Sequence, residues 1–482
     1  MEKKDKYSKL LQEGGLFFYG TTKGSFILPP AGYALWKNIQ SVLDKKFMAR
    51  GVQNVLLPTL IPLDLLEKEK KHIAGFSPEC FYIERIGEKK IENPLILRPT
   101  SEVLFYDWYR QILQSYQQLP LLYNQWCSVF RAEKNTSPFF RNTEFLWQEG
   151  HTLHSSEKEA REFALNILSD YQDYAENILC LGVIVGRKTE GERFAGALET
   201  YTIECLLPDG QCLQFATSHY FGNNFCRLMD IKFHNKDNQI QHPFSTSWGT
   251  STRAIGAVAK SHKDKWGLIL PFEITPIQIA FICTNKSQEL LTYYQKIRDL
   301  LVPRYRCRLY DSHEQVSSNF FQADKEGCPV KIVLWEDKKS RKKEITFIRR
   351  DNIEGIRISI NLEENEIDKK KDEIIKIINK EAEEFKKVLY QKSVEFRDEH
   401  IFLIDNYPEL EKKIKEGVIG LFLVSFCNKL DCEKGIKEKV PVYSIRCIKE
   451  LSISEKKKTL DSKKCLFCEL PAENMVYLGR SY

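Results

Sequence analysis

The chain has 482 residues, too many for a single hydrophobic core, so we expect two to four domains. Hydrophobic residues make up 42% of the sequence and charged residues 29%, a balance that excludes a mainly disordered chain. Neither a signal peptide nor a run of roughly 18 apolar residues is present, which predicts a cytoplasmic protein without a membrane partner. The net charge of +6 is too small to identify a nucleic-acid partner by itself.

Residues 1–271 are predicted to form an α+β domain in which helices flank an antiparallel sheet. Apolar residues recur at helical spacing over residues 33–50 and 157–179, which predicts two of these helices. The run ETYTIECLLPDGQCLQFATS has alternating segments on both sides of a Pro-Asp-Gly turn, and this pattern predicts an antiparallel hairpin.

Residues 272–380 are predicted to form an α/β domain. The short apolar runs QIAFICT, CRLY and VKIVLW alternate with helical patterns over residues 288–301 and after residue 312. Between Lys338 and Arg350 seven basic residues accompany one acid, Glu344. That stretch predicts either a positive field for phosphates or, equally, a solvated strand edge guarded by lysines.

The third region, residues 381–482, is predicted to hold the end of a linker helix and a small α+β zinc domain. A Lys/Glu-rich amphipathic pattern over residues 367–396 predicts the long helix that leads into it. Cys427 and Cys432 are separated by four residues, and Cys465 and Cys468 by two. One such pair alone would indicate core cysteines, but two pairs favour a structural Zn²⁺ held by four thiolates.

The most informative stretch is SVFRAEKNTSPFFRNTEFLWQEGH. On a strand, Arg131 and Glu133 would share one face, and a hairpin would return Phe145 beside them. The planar guanidinium groups of Arg131 and Arg141 can each bind phosphate oxygens, and the aromatic ring of Phe145 can stack on a nucleobase. Together these residues fit a nucleoside triphosphate. Without the surrounding order of residues, an ordinary ion pair between Arg131 and Glu133 would explain the pattern.

This stretch resembles the second signature motif of class II aminoacyl-tRNA synthetases, in which Phe-Arg-x-Glu precedes a loop and Arg-x-x-x-Phe. The resemblance implies that Arg131 contacts the α-phosphate and the amino-acid carboxylate, Glu133 the adenine amino group, and Arg141 the outer phosphates. It also implies that Phe145 stacks on adenine. Asn142 is included in the ATP site, although relatives often have Thr there.

Two further segments are similar to the other class II motifs. SWGTSTRAIGAV resembles the third, in which a strand runs into a helix; this implies that Arg253 contacts the triphosphate and that Ser251 supplies a hydroxyl where relatives have Thr. GVQNVLLPTLIP stands where the first motif is expected, and it implies that Pro58 lies at a homodimer interface.

Several segments resemble prolyl-tRNA synthetases in particular. LRPTSE, residues 97–102, is similar to their proline-site motif and implies that Thr100 and Glu102 engage the secondary amine. The same letters also fit a helix start with Thr100 or Ser101 as cap and Glu102 in the first turn, and both interpretations can hold together.

GRKTEGERFAGALETYTIE and QFATSH resemble two more segments of that family. An aromatic residue taken alone would be interpreted as core, and only its place in matching segments supports a role. The proline-pocket residues that the resemblance implies are Phe76, Thr100, Glu102, Arg131, Trp147, Phe194, His219 and Ser251. Gln214 and Thr217 are implied in ATP binding, with Gln214 also a candidate Mg²⁺ ligand.

The resemblance implies an ATP-dependent ligase that activates L-proline and transfers it to tRNA(Pro), with Arg131 and Arg253 as catalytic residues. It indicates the archaeal and eukaryotic type, which bears a similar C-terminal metal site. Only about 95 residues separate His154 from Trp248, which leaves no room for the editing insertion of bacterial relatives. Mg²⁺ with ATP and a structural Zn²⁺ are the implied cofactors.

Two alternatives remain. A non-catalytic paralogue that binds tRNA or an amino acid would be favoured by loss of Arg131 or Arg253, and both are present. A class II synthetase for threonine, serine or glycine would share the ATP residues, but a threonine enzyme would need zinc ligands in the catalytic region, where no such cluster is recognisable. The resemblance implies that residues 272–380 are an anticodon-binding domain. In that domain relatives usually have Gly-x-Lys-Phe, whereas this chain has Ser317-Ser318-Asn319-Phe320. The family's anticodon contacts are therefore not assigned to this chain, although Arg349-Arg350-Asp351 is kept.

Overall fold

The computed structural model describes residues 2–70, 80–282, 284, 288–311, 315–336, 343–352, 358–362 and 367–482. Within these ranges, no helix combines the length and the apolar character needed to cross a bilayer.

The first region contains seven helices and fourteen strands among its described residues. The helices are α1 Glu2–Glu13, α2 Pro30–Ala49, α3 Leu63–Lys70, α4 Glu102–Ile112, α5 Glu157–Asp173, α6 Asn224–Leu228 and α7 Arg253–Ser261. The strands are β1 Phe18–Tyr19, β2 Phe26–Ile27, β3 Gln53–Asn54, β4 Leu60–Pro62, β5 Tyr82–Ile86, β6 Lys89–Leu97, β7 Leu121–Phe130, β8 Glu144–His154, β9 Val183–Arg187, β10 Glu199–Leu206, β11 Gln211–Gly222, β12 Phe233–His234, β13 Ile240–Gln241 and β14 Phe244–Ser251. Tyr116–Gln118 and Glu190–Glu192 form 3-10 turns, and Tyr174–Ile178 forms a π-helical turn.

The sheet of this region runs in the order β9-β10-β11-β14-β8-β7-β3. All its neighbours are antiparallel except β3 and β7, which are parallel. The predicted hairpin is confirmed, because β10 pairs with β11 from Glu199 opposite Tyr220 to Leu206 opposite Cys212. The two predicted helices are also confirmed as α2 and as α5 with its π-helical extension.

The amphipathic patterns of α2 and α5 explain how they cover the sheet. Their buried side chains, among them Leu35, Phe47 and Tyr171, join Trp248 of β14 in the largest hydrophobic core. The ring of Phe47 meets those of Tyr171 and Trp248 edge-on, with centroids 6.2 and 6.0 Å apart. Burial of these rings fixes the back of the sheet and leaves its other face for the site.

Gly150 on β8 lies directly opposite Trp248 on β14. A Cβ atom at this position would lie 2.1 Å from the Trp248 ring, so only glycine allows the ring to pack there. We expect Gly150→Ala to lower the free energy of unfolding by about 1–3 kcal/mol, as overpacking does, in urea denaturation. Gly435→Ala is the matched control, since a Cβ there meets nothing within 4 Å. Equal stability of Gly150→Ala and wild type would contradict this account.

The second region confirms the predicted alternation of strands and helices. Its elements are β15 Ile279–Ile282, α8 Gln288–Leu301, β16 Cys307–Tyr310, α9 Val316–Lys325, β17 Val330–Glu336, β18 Lys343–Arg349, β19 Ile358–Leu362 and α10 Lys371–Glu399. The sheet order is β16-β15-β17-β18-β19; the first three strands are parallel, and β18 and β19 are antiparallel to their neighbours.

The retained Arg349-Arg350-Asp351 run holds this region together instead of facing solvent. Arg349 forms a two-pronged pair with Asp351 at 2.9 and 3.0 Å, and Arg350 forms one with Asp264 of the first region at 2.6 and 2.7 Å. Both arginines are buried. Because carboxylates neutralise Arg349 and Arg350, these two residues do not contribute to the positive field predicted for residues 338–350. Residues 338–342 lie outside the described part of the chain.

The third region extends the first sheet. Its elements are β20 Ile401–Leu403, α11 Tyr407–Lys415, β21 Leu421–Phe426, α12 Leu430–Lys439, β22 Tyr443–Lys449, α13 Ile453–Leu460 and β23 Asn474–Ser481. The strands pair in the order β20-β21-β23-β22, and β22 pairs with β9, so the sheet has eleven strands in all. The end of β23 also pairs with the start of β11.

A buried ionic cluster lies where the two parts of this sheet meet. The fully buried Glu204 of β10 lies 2.7 Å from Lys188 Nζ and 2.8 Å from Arg446 Nη2 of β22. Arg446 Nη1 also donates to Ser481 Oγ at 3.0 Å. The cluster therefore ties the third region to the first through charge-assisted hydrogen bonds.

Candidate active site

A cavity of about 280 Å³ opens over the middle strands of the main sheet. Strands β8, β11 and β14, the start of α4 and the segment before β10 all contribute to its lining. The predicted site residues that line it are Thr100, Glu102, Arg131, Phe145, Trp147, Phe194, Gln214, Thr217, His219, Ser251 and Arg253. Segments from residue 100 to residue 253 thus converge on one place. Phe76 lies outside the described residues.

Arg131 and Glu133 do not occupy a strand, so that part of the prediction was wrong. Strand β7 ends at Phe130, and the chain then turns, with the Glu133 amide donating to the Arg131 carbonyl at 2.8 Å. The hairpin itself is confirmed, because Phe145 of β8 is in register with Val129 of β7. The Arg131 guanidinium carbon therefore lies 5.5 Å from the centre of the Phe145 ring.

The LRPTSE segment carries the chain from the end of β6 into α4. Glu102 is the first residue of α4, as the helix-start interpretation predicts, but the Ser101 side chain forms no capping hydrogen bond. Instead, Ser101 Oγ accepts a hydrogen bond from Gln125, and Thr100 Oγ1 donates to the Glu102 carboxylate. Thr100 and Glu102 are consequently held inside the cavity wall.

Glu149 and His151 are among the lining residues that the sequence did not reveal. They follow Trp147 at alternate positions of β8, so the two-residue period of a strand could have revealed them. Both are buried, and His151 Nε2 lies 3.3 Å from Glu149 Oε2. Glu102, Glu149 and His151 place ligand atoms within 4.8 Å of one another. The sequence showed no such cluster in this region, and the fold brings these three side chains together.

The two carboxyl groups differ in their electrostatic surroundings. Burial raises the pKa of Glu102, the negative charge of Glu149 raises it further, and His151 opposes both. Burial also raises the pKa of Glu149, but hydrogen bonds from His151, Ser101 and Gln125 outweigh it and lower the pKa overall. Glu102 is thus the carboxylate that gains most from a cationic ligand.

Phe194 and His219 form an aromatic part of the cavity wall. The rings of Phe194 and His219 pack at a tilt of 39°, with their centres 4.8 Å apart. His219 Nδ1 lies 3.0 Å from Thr200 Oγ1, and the same hydroxyl accepts a hydrogen bond from the Phe194 amide at 3.1 Å. Burial and the neighbouring His151 lower the pKa of His219 to about 3, so it is neutral at physiological pH. The wall is therefore uncharged and suits an apolar ring.

The other end of the cavity is cationic. Arg253 begins α7 directly after β14, as the third-motif pattern predicts, and donates to the Phe140 carbonyl at 3.0 Å. Burial, followed by the charges of Arg131 and Arg141, lowers the pKa of Arg253 to about 10. Burial also lowers the pKa of Arg131. Cations held this close to one another favour an anionic ligand.

Three predicted ATP-site residues do not line this cavity. Glu133 lies outside it, although its charge raises the pKa of Arg131 and Arg253. Asn142 lines a neighbouring apolar cavity with Phe17 and Phe26. Arg141 turns toward the end of the chain, where its Nη2 donates to the main-chain oxygen of Tyr482 at 2.6 Å.

Tyr482 is a second feature that local patterns missed. Its hydroxyl lies 2.9 Å from Ser137 Oγ, and its ring packs on Phe140 with centres 4.1 Å apart. Pairing of β23 with β11 brings it to the loop that follows β7. The last residue of the sequence therefore contacts the segment between Arg131 and Phe145.

The four predicted zinc ligands lie together at one end of the third region. The Cys427 and Cys468 sulfur atoms are 3.4 Å apart, and those of Cys432 and Cys465 are 3.7 Å apart. A tetrahedral site with Zn–S bonds of about 2.3 Å requires sulfur separations of about 3.8 Å. The geometry of the donor atoms therefore fits a zinc ion.

Two family models match the chain. Residues 83–262 match the model described as tRNA synthetase class II core domain (G, H, P, S and T). Residues 407–482 match the model described as prolyl-tRNA synthetase, C-terminal. The first match spans most of the cavity, and the second spans the four cysteines.

Full-length relatives agree with these models. Proline–tRNA ligase of Mycoplasma mycoides is 42% identical over 99% of this chain and 96% of its own, and that of Mesoplasma florum is 39% identical with the same coverage. Crystal structures of Cryptosporidium parvum prolyl-tRNA synthetase, one with halofuginone and AMPPNP and one with L-proline and AMP, match with TM-scores of 0.90 and 0.89. Their identities are 30% and 29%, over 99% of this chain and 95% of theirs. With its class II catalytic core and its C-terminal domain, the chain belongs to the prolyl-tRNA synthetase family of ATP-dependent aminoacyl-tRNA ligases.

Proposed function

We propose that this chain activates L-proline with ATP and transfers the prolyl group to the 3′ end of tRNA(Pro). The observation that carries the proposal is the charge pattern of the cavity. A buried carboxylate, Glu102, and a partly buried guanidinium, Arg131, act on each other electrostatically in the cavity that Phe194 and the neutral His219 also line. Free proline has a cationic amine, an anionic carboxylate and an apolar ring, and each group meets its complement.

In this proposal the secondary amine of proline takes the place beside Glu102 and Thr100. A buried ammonium needs a paired carboxylate. Burial raises the pKa of Glu102, and a cationic partner would oppose that shift. The ring packs on Phe194, His219 and Trp147, with Phe76 as a further proposed contact and Ser251 at the rim. We assign the cation at Glu102 to the substrate rather than to a metal, because Glu149 already accepts hydrogen bonds from Gln125 and Ser101.

ATP occupies the other end of the cavity. Phe145 stacks on adenine, while Gln214 and Thr217 line the nucleotide. Glu133, Arg141 and Asn142 complete the proposed ATP site, and this requires Arg141 to exchange its contact with Tyr482 for the outer phosphates. Gln214 is the proposed ligand for Mg²⁺, which would supply charge neutralisation at the phosphates.

The reaction has two steps. The proline carboxylate attacks the α-phosphorus of ATP and pyrophosphate leaves; a hydroxyl of the terminal tRNA ribose then attacks the prolyl carbonyl and AMP leaves. Arg131 holds the carboxylate against the α-phosphate, and Arg253 offsets charge on the phosphates. Positioning and preorganised positive charge supply most of the rate enhancement, without a protein nucleophile.

A non-catalytic paralogue is disfavoured because both arginines are present and face the cavity. The test is ATP–pyrophosphate exchange measured separately with each of the twenty amino acids. We expect exchange with proline and only weak exchange with alanine. Exchange with threonine, serine or glycine instead would overturn the assignment, and no exchange with any amino acid would favour the paralogue.

We further propose that Cys427, Cys432, Cys465 and Cys468 hold one structural Zn²⁺. All four ligands come from protein, which leaves no open position for catalysis. Metal analysis should find about one zinc per chain, falling to near zero in Cys465→Ser and unchanged in the control Cys307→Ser. The site is refuted if the wild type carries no zinc and Cys465→Ser unfolds at the same temperature. Two zinc ions per chain would mean that Glu102, Glu149 and His151 also bind metal.

We propose three functional regions, 1–271 for catalysis, 272–380 for tRNA contacts of the anticodon type and 381–482 for the linker and zinc domain. A homodimer through the segment around Pro58 is supported by two exposed apolar residues there, Leu56 at 78% and Leu60 at 42% exposure. We also propose a cytoplasmic location, where ATP, proline and tRNA meet.

Selectivity against alanine should come from the pocket alone. The segment from His154 to Trp248 is occupied by α5 and by strands of the main sheet, which leaves no editing insertion between them. Small apolar differences give only roughly 10–200-fold discrimination, so some alanine should be attached. We expect preformed alanyl-tRNA(Pro) to survive incubation with the enzyme as long as in buffer. Enzyme-dependent deacylation would contradict this prediction.

A further inference from the structure

A segment of the proline pocket is held from outside the catalytic region. The loop of residues 188–198 connects β9 to β10 and carries Glu192, Arg193 and Phe194 into the cavity lining. Helix α12, which belongs to the third region, lies against this loop, and its residue Glu433 is buried.

Three contacts join the helix to the loop. The Glu433 carboxylate accepts hydrogen bonds from Thr189 Oγ1 and from the Gly191 amide, the latter at 3.0 Å. One turn further on, Lys437 Nζ lies 2.8 Å from Glu192 Oε1. The approach is close enough that a Cβ atom at Gly191 would lie 2.7 Å from the Glu433 carboxylate. Glycine at this position therefore lets the carboxylate reach the main chain of the loop.

The held residues continue directly into the aromatic wall. Only two residues separate Gly191 from Phe194, whose amide donates a hydrogen bond to Thr200 Oγ1 and whose ring packs against His219. Without Glu433, the loop would keep its attachment at Phe194 but lose its attachment at Thr189 and Gly191. Glu192, Arg193 and the Phe194 ring would then sample positions away from the proline ring.

We propose that Glu433, together with Lys437, is a positioning residue for proline binding, a role that rests on the proposed function of the cavity. Helix α12 fixes the loop 188–198 in the conformation that places Phe194 against the substrate ring. Glu433 touches neither substrate nor ATP; it acts through the loop. Because Cys432 directly precedes Glu433, the proposed zinc site and the proline pocket share one helix.

The test compares Glu433→Ala, Glu433→Gln and Lys437→Ala in the full-length enzyme, with Glu438→Ala as an exposed control on the same helix. In pyrophosphate exchange, Glu433→Ala should raise KM for proline roughly 10-fold, while KM for ATP stays within about twofold, because only the proline wall moves. Thr189 and Gly191 donate to different oxygens of the Glu433 carboxylate, so Glu433→Gln keeps one of the two acceptors and should recover part of this loss. Lys437→Ala should shift KM in the same direction by less, and Glu438→Ala should match wild type.

A second measurement does not depend on the enzymatic activity. Amide hydrogen exchange of residues 189–194 should be faster in Glu433→Ala than in wild type and in Glu438→Ala, with zinc content unchanged. The inference is overturned if a folded Glu433→Ala shows wild-type hydrogen exchange in this loop. It is also overturned if both KM values rise together, or if the KM change follows zinc loss. Absence of proline-dependent exchange in the wild type would instead refute the proposed function, and hydrogen exchange would still decide whether Glu433 holds the loop.

Discussion

Replacing Arg131 with alanine is expected to lower the rate of proline-dependent pyrophosphate exchange roughly 10²–10³-fold while the protein stays folded. The guanidinium lies in the cavity lining, 5.4 Å from the centre of the Trp147 ring and 5.5 Å from that of the Phe145 ring. It donates to the Pro99 carbonyl at 3.1 and 3.2 Å, which fixes the position of the guanidinium. Its removal deletes the cation that would hold the carboxylate at the α-phosphate.

Two variants separate charge from geometry. Arg131→Lys keeps the charge but loses the planar fork, so its rate should lie between those of wild type and Arg131→Ala. Arg308→Ala removes an exposed arginine of β16 and should leave the rate unchanged. Near-normal exchange in a folded Arg131→Ala protein would refute the role of Arg131.

Replacing Glu204 with alanine is expected to give the largest loss of stability, about 3–5 kcal/mol in the free energy of unfolding. The substitution would leave Lys188 and Arg446 buried without their shared carboxylate. Glu199→Ala on the same strand is the control: Glu199 pairs with the partly exposed Arg161, and its loss should cost about 1 kcal/mol or less. Urea denaturation at pH 7 measures both, and equal stability of the two variants would contradict the account.

The same cluster predicts a pH dependence. Burial raises the pKa of Glu204, but Lys188 and Arg446 outweigh it and hold the pKa at about 2, below the ordinary value of 4.5. Because the folded-state pKa is depressed, this stabilisation is fully present above pH 4.5 and is lost as the pH falls toward 2. Over that range, the free energy of unfolding should fall more steeply in wild type than in Glu204→Ala.

Local patterns in the sequence predicted those parts of the fold that local interactions determine. The Pro-Asp-Gly turn and its flanking alternation predicted the pairing of β10 with β11. The helical spacing over residues 288–301 matches α8 from end to end. The spacing of the cysteine pairs predicted that four thiols would meet, because ligands for one metal must converge.

Tertiary contacts account for the features that the sequence did not reveal. Nothing near Arg141 indicates that it pairs with Tyr482, which is 341 residues away in the sequence. Glu433 and Thr189 are 244 residues apart, and the pairing of β22 with β9 helps to bring their elements together. Arg131 and Glu133 were assigned to a strand because they are two residues apart, but the hairpin ends at Phe130 and the loop conformation takes over.

The most direct test of the central claim is the attachment of radiolabelled amino acids to tRNA(Pro) by the purified protein in the presence of ATP. We predict that proline attachment rises to a plateau and that it requires both ATP and a tRNA with the proline anticodon. Over the same time, Arg131→Ala should attach no proline. Failure of the folded wild-type protein to attach proline, or preferential attachment of another amino acid, would contradict the central claim.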